Sequence, residues 1–149
     1  MKIIKFLINL PERVANHFLW AGPLVARIVV GYVFMLSGWQ KLNHLPLITQ
    51  NFVNWGVPFP NFMTPLVSGI ECFGGIFLIL GFITRISGGA LAVVMVVAII
   101  SAKLNDIDSF ETLLGFEETT YFAVFTWLAI CGAGKASLDY LITKRLSKN

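Results

Sequence analysis

Four long apolar runs, about Pro23 to Leu42, Phe62 to Ile83, Ile86 to Ala102 and Thr120 to Leu141, dominate the chain. A helix needs about 20 apolar residues to cross a bilayer. Backbone groups in lipid find partners only within a helix or a closed barrel. The runs therefore read as membrane helices, and the turn at Thr84 to Ser87 makes the middle two an antiparallel hairpin. Composition agrees, since 56% of the 149 residues are hydrophobic, 13% are charged and the mean hydropathy is +0.77. Soluble domains carry about 25% charged residues, so a soluble globular fold is excluded. The expected fold class is an all-α membrane protein: a bundle of four transmembrane helices over residues 21–142, followed by a basic tail over 143–149.

Residues 1–20 read differently. Ile3, Ile4, Phe6, Leu7 and Leu10 alternate with Lys2, Lys5, Asn9 and Arg13, the pattern of an amphipathic helix lying in the membrane interface. The apolar core after Lys5 is cut short by Pro11, Glu12 and Arg13, and no small-residue cleavage site follows, which argues against a processed signal peptide. The connections 43–61 and 103–118 are polar, and Pro46, Pro58 and Pro60 are expected to break any helix in the first. Lys2, Lys5, Arg13, Arg85, Lys135, Lys144, Arg145 and Lys148 fall on one side of the membrane in this scheme, with Lys41 and Lys103 on the other. Positive charge is retained in the cytoplasm, so both termini are expected there. Trp20, Trp39 and Trp55 sit where interfacial anchors belong. Gly88 with Ala92, Ala98 with Ala102, and Ala129 with Ala133 offer close helix approaches.

The charges inside the runs are the functional candidates, because ionised groups at membrane depth turn inward and often mark function. At about 1.5 Å per residue, Arg27 and Asp139 lie about 24 and 28 Å from the Lys41 side and are expected to pair. Glu71 lies about 13 Å down, within reach of Lys41 or Lys103. It reads either as the partner of one lysine or as a proton carrier and ligand-binding group. Trp127 is at a similar depth, with Phe73, Phe77, Phe122 and Phe125 available on the same two helices. An apolar aromatic cavity with one ionisable group suits a lipophilic ring, although aromatic residues also simply pack helices together. Cys72 and Cys131 come out at equal depth, about 15 and 16 Å. They read as small buried residues or as candidate redox thiols, the latter requiring Cα atoms within about 7 Å. No metal-ligand spacing occurs, His17 and His44 are far apart, and the basic residues flank apolar runs instead of forming a face for nucleic acid.

Three motifs then line up in order: Arg27, Gly31, Gly38 and Lys41; Glu71, Gly74, Gly75, Leu78, Gly81, Thr84 and Arg85; and Gly132, Gly134, Ser137 and Asp139. Together they resemble the DoxX family of small four-helix membrane proteins from Arg27 to Leu141. The resemblance implies a bacterial inner-membrane protein associated with redox chemistry, in a family that includes a subunit of a thiosulfate:quinone oxidoreductase. It carries over Arg27, Lys41, Glu71, Arg85 and Asp139 as the polar residues of interest.

The expectation is thus a quinone-interacting subunit of a membrane redox system, with no cofactor motif of its own. Glu71 is the candidate catalytic residue. Glu71, Lys41, Lys103, Trp127 and Phe73 are the candidate ligand-binding set, and Arg27 with Asp139 the structural ion pair. The partners expected are the lipid bilayer, a quinone and a redox-enzyme subunit, with the oligomeric state open. A non-catalytic scaffold that recruits a soluble enzyme is the alternative, and a small transporter a third.

Overall fold

The computed structural model describes Pro11 and residues 15–147, all helix, turn or coil. The amphipathic helix expected over 1–20 falls largely outside the described residues; within them, residues 15–17 are helical and lead through a turn into the first long helix. That helix, α1, runs Ala21–Asn43. It is followed by α2 (Leu45–Asn54), α3 (Pro60–Leu80), α4 (Thr84–Ala98), α5 (Phe110–Gly115), α6 (Glu117–Cys131) and α7 (Leu138–Leu146). A wide π turn, Ile99–Lys103, and a tight 3-10 turn, Leu104–Asp106, extend α4. Among the described residues, three helices are long and apolar enough to cross a membrane: α1, α3 and α4 with its extension to Asp106.

The buried residues of α1 are Arg27, Val30, Gly31, Phe34 and Gly38, a stripe at helical spacing. Val25, just before them, and Ile28, Val29, Tyr32 and Val33 between them are exposed. Apolar side chains thus cover the outside while the fully buried Arg27 points in. That distribution suits a solvent of acyl chains, in which association comes from close packing and polar contacts. α1 and α3 meet backbone to backbone. A Cβ added at Gly75 would stand 2.5 Å from the Gly31 carbonyl oxygen, and one at Gly38 would collide with the main chain of Cys72. The α4–α6 contact is similar at Gly88, where a Cβ would lie 3.0 Å from the Phe125 carbonyl oxygen. Phe34 of α1 joins the two pairs through edge-on contacts with Tyr121 and Phe125.

Two expectations are corrected. The connection 43–61 contains a helix, α2, although Pro46 opens it. Proline at the first turn forfeits only an N–H that has no intrahelical partner anyway. The fourth run is not one helix from Thr120 to Leu141. It stops at Cys131, where Gly132 takes φ +82°, and restarts at Leu138 after Ser137 caps the new helix with its hydroxyl. Gly134, at φ +74°, keeps the intervening segment extended away from a helical path. α6 alone is about 22 Å long at the standard rise, short of the ~30 Å hydrocarbon thickness.

Candidate functional site

α1 and α3 each present one charge at the same level because their glycine contact lets the axes approach. Lys41 lies one turn beyond Gly38, and Glu71 is adjacent to Cys72, which Gly38 touches. The Lys41 ammonium donates to both Glu71 carboxylate oxygens at 2.7 Å, and the Ser37 hydroxyl reaches Oε2 at 3.3 Å. Glu71 is buried, whereas the Lys41 side chain is 31% exposed. One end of the pair is therefore dry and the other reaches an opening. One turn of α3 further toward Pro60, the buried Ser68 hydroxyl donates to the Thr64 carbonyl and the Thr64 hydroxyl to that of Pro60. Both hydroxyls are satisfied within their own helix, which leaves Glu71 to Lys41 and Ser37.

The pair forms part of a cleft of about 520 Å³ between α3 and α4. The helices are joined at the Gly81–Ile83 turn and part toward the Lys41 end. Met63, Val67 and Ile70 of α3 face Ala90, Val94 and Val97 of α4 across the gap. Phe52 and Trp55, at the end of α2, close the mouth with ring centroids 5.8 Å apart. The π turn aims Ser101, Ala102 and Lys103 at the same space; such turns recur at functional sites because they rotate side chains out of the regular helical register. Along α4 the cleft extends from Ala90 to Lys103, about 20 Å at the helical rise. It is a long apolar slot with a charged pair in its wall, the form of a site for an amphiphile.

The structure resolves which lysine meets Glu71: Lys41 does. Lys103 lies on the opposite wall, its ammonium 5.6 Å from the Phe116 ring centroid. Trp127 and Phe73 do not belong to the cleft. Each lies two residues from an inward-facing neighbour, Trp127 from Phe125 and Phe73 from Glu71, and two residues turn a helix by about 200°. Depth alone therefore misassigned them; both are exposed on the outer surface. Ser37, Phe52 and the π turn were missed. The serine was detectable as the residue one turn before Lys41 on the same face.

Arg27 and Asp139 reach the same end of the bundle but make no ion-pair contact among the described residues. The buried Arg27 guanidinium donates to the carbonyls of Ala136 and Pro23 and lies against Gly81, where any side chain would collide with it. Asp139 instead accepts from the N–H groups of Ile83 at 2.7 Å and Thr84 at 2.9 Å, while its own N–H donates to the Gly81 carbonyl. It is a cap supplied from α7 to the start of α4. Ile83, at φ +43°, is a β-branched residue in the left-handed region, and Asp139 holds it there. The motif residues Arg27, Gly81, Thr84, Ser137 and Asp139 thus build a knot that ties three helix ends together.

Cys72 and Cys131 are both free thiols. Cys72 is buried midway along α3, while Cys131 is exposed at the end of α6 next to Ile130, whose carbonyl accepts from Arg85 at 2.7 Å. Since Arg85 opens α4 beside the end of α3, Cys72 lies about 12 Å along the axis from that level. The equal depth expected of them presumed that the runs beginning near Phe62 and Thr120 start at one level.

The chain matches the family model described as DoxX over residues 22–104. It is 32% identical over 124 residues to the inner membrane protein YqjF of Escherichia coli, a match covering 83% of this chain and 94% of that protein. It is 30% identical over 125 residues to "Putative oxidoreductase CatD" of Bacillus subtilis, covering 83% of this chain and 88% of that protein. No solved structure matches the chain.

Proposed function

Because the chain belongs to the DoxX family of membrane proteins, we propose that it is a multi-pass protein of a bacterial inner membrane that binds a quinone in the α3–α4 cleft, as a subunit of a membrane redox system. The observation that carries this reading is the Lys41–Glu71 pair in the wall of a long apolar slot. A quinone carbonyl accepts hydrogen bonds and a hydroquinone hydroxyl donates one. Lys41 is a donor and Glu71 an acceptor, so the same pair suits both forms, with Ser37 supporting the carboxylate from behind. The slot takes the isoprenoid tail, and Phe52 with Trp55 bounds the ring. The electrons come from a partner, since this chain contributes no redox cofactor motif. The oxidoreductase name of the Bacillus subtilis relative favours the same direction.

In this reading α6 makes the fourth crossing, with bilayer thinning or headgroup contacts accommodating its length. Both chain ends are assigned to the cytoplasmic side, a reading supported by the cations near the Arg27 end, Arg85, Lys135, Lys144 and Arg145.

The test is lipid extraction from the purified full chain, with quinone counted against a detergent blank, followed by titration of added ubiquinone and menaquinone analogues. Wild-type protein retains quinone near one per chain, and Glu71→Gln weakens binding about tenfold, the factor of one charge-assisted hydrogen bond at ~1.4 kcal/mol. Quinone at blank level, together with identical titrations for the wild type and Glu71→Gln, overturns the proposal.

A further inference from the structure

A second cleft, about 690 Å³, opens at the opposite end of the bundle between the start of α4, the end of α6 and α7. Its walls include Ile86 and Ile142, both exposed, and its rim holds Arg85 and Lys135. Nothing in the Lys41–Glu71 site uses these residues.

The cations are not spent on protein carboxylates. Arg85 gives one N–H to the Ile130 carbonyl and lies flat over Gly132, where an added Cβ would be 3.4 Å from its Nε. Its other donors have no partner among the described residues. Lys135 is exposed and makes no hydrogen bond among the described residues. Asp139 is the one carboxylate in the lining, and both of its oxygens are occupied by the Ile83 and Thr84 amides. Lys144 adds a further cation nearby, 6.0 Å from the ring centroid of Tyr140, which lines the cleft. Ala133, Gly134 and Lys135 also line the cleft, and their main-chain N–H groups have no backbone acceptor among the described residues. The result is a net positive, donor-rich rim above an apolar wall that opens sideways. Its charge selects an anion, and its apolar side selects one that carries hydrocarbon. Basic recesses between membrane helices take up anionic headgroups for this reason.

We propose that this cleft binds an anionic phospholipid, the phosphate bridging Arg85 and Lys135 and one acyl chain lying along Ile86 and Ile142. The lipid seals the break between α6 and α7 that Gly132 and Gly134 create.

The test uses the full chain reconstituted in bilayers of phosphatidylglycerol and phosphatidylcholine mixed equally, then released into mild detergent and weighed intact with its bound lipid. Phosphatidylglycerol is retained at one per chain in preference to phosphatidylcholine. Arg85→Gln and Lys135→Gln each lower retention about fivefold, the factor that ~1 kcal/mol per cation corresponds to. Lys135→Gln removes no protein hydrogen bond, so its result stands even where Arg85→Gln unfolds. Cys131 lines the same cleft and is exposed; its alkylation by neutral N-ethylmaleimide in detergent is slowed by added phosphatidylglycerol in the wild type and not in Lys135→Gln. Equal retention of the two lipids overturns the proposal, as does retention unchanged in Lys135→Gln. Protection of Cys131 by inorganic phosphate alone, equal to that by the lipid, assigns the site to a free anion and overturns it as well.

Discussion

Gly38 of α1 lies directly against the main chain of Cys72 in α3, with no room for a side chain between them. That contact sets the helix separation one turn from the Lys41–Glu71 pair. Gly38→Ala forces the helices apart and costs about 3 kcal/mol, at the upper end for overpacking because backbone, not a flexible side chain, is in the way. Gly69, also in α3, has nothing within 4 Å of an added Cβ. Gly69→Ala is expected to stabilise by about 0.5 to 1 kcal/mol through helix propensity alone. Unfolding in mixed micelles measures both, and equal effects at the two positions would show that the glycine contact is not what fixes the bundle.

The ion pair is asymmetric, with the carboxylate 4% and the ammonium side chain 31% exposed. Removing the lysine leaves a carboxylate without its partner in a dry site. Removing the carboxylate leaves an ammonium that reaches water or headgroups. Lys41→Met is therefore expected to cost about 3 kcal/mol and Glu71→Gln about 1 kcal/mol. A double-mutant cycle on thermal unfolding resolves the coupling. The reverse order, with Glu71→Gln the more damaging, is inconsistent with this geometry.

How much of this was legible in the sequence depended on the kind of signal. Run length gave α1, α3 and α4 to within a few residues, since lipid imposes both helix and minimum span. Glu71 and Lys41 were legible because a charge at membrane depth must find a partner. Trp127 and Phe73 were misplaced because axial depth says nothing about azimuth; Phe125 and Glu71, each two residues away, show the inward face only once helices are packed. The α6 break rests on Gly132 and Gly134, but glycine is also common in membrane helices, so the motif was visible and its geometry was not. The π turn at Ile99–Lys103 has no sequence signature here, its run of apolar and small residues reading as a plain continuation of α4.

Asp139 caps α4 through two amides, one of them on the strained Ile83. Asp139→Ala is expected to cost about 2 kcal/mol, the loss of a charged cap. Ile83→Gly removes the left-handed penalty of about 1 kcal/mol and so recovers part of that loss in the double variant. Thermal midpoints of the four proteins check this. A double variant less stable than Asp139→Ala alone would show that Ile83 is not strained.

Filling the α3–α4 cleft separates ligand binding from fold stability. Ala98 of α4 lines the slot between the Lys41–Glu71 level and the π turn. A phenylalanine there projects into space that no protein atom occupies, gaining contacts that the lining now lacks. Ala98→Phe is therefore expected to keep or raise the thermal midpoint of the delipidated protein while lowering quinone-analogue affinity at least tenfold, about 1.4 kcal/mol. Ala133 is buried at the far end of the molecule, so Ala133→Phe provides the contrast, with lost stability from overpacking. Should Ala98→Phe bind the analogue as tightly as the wild type, the slot is not where the tail lies, whatever the role of Glu71.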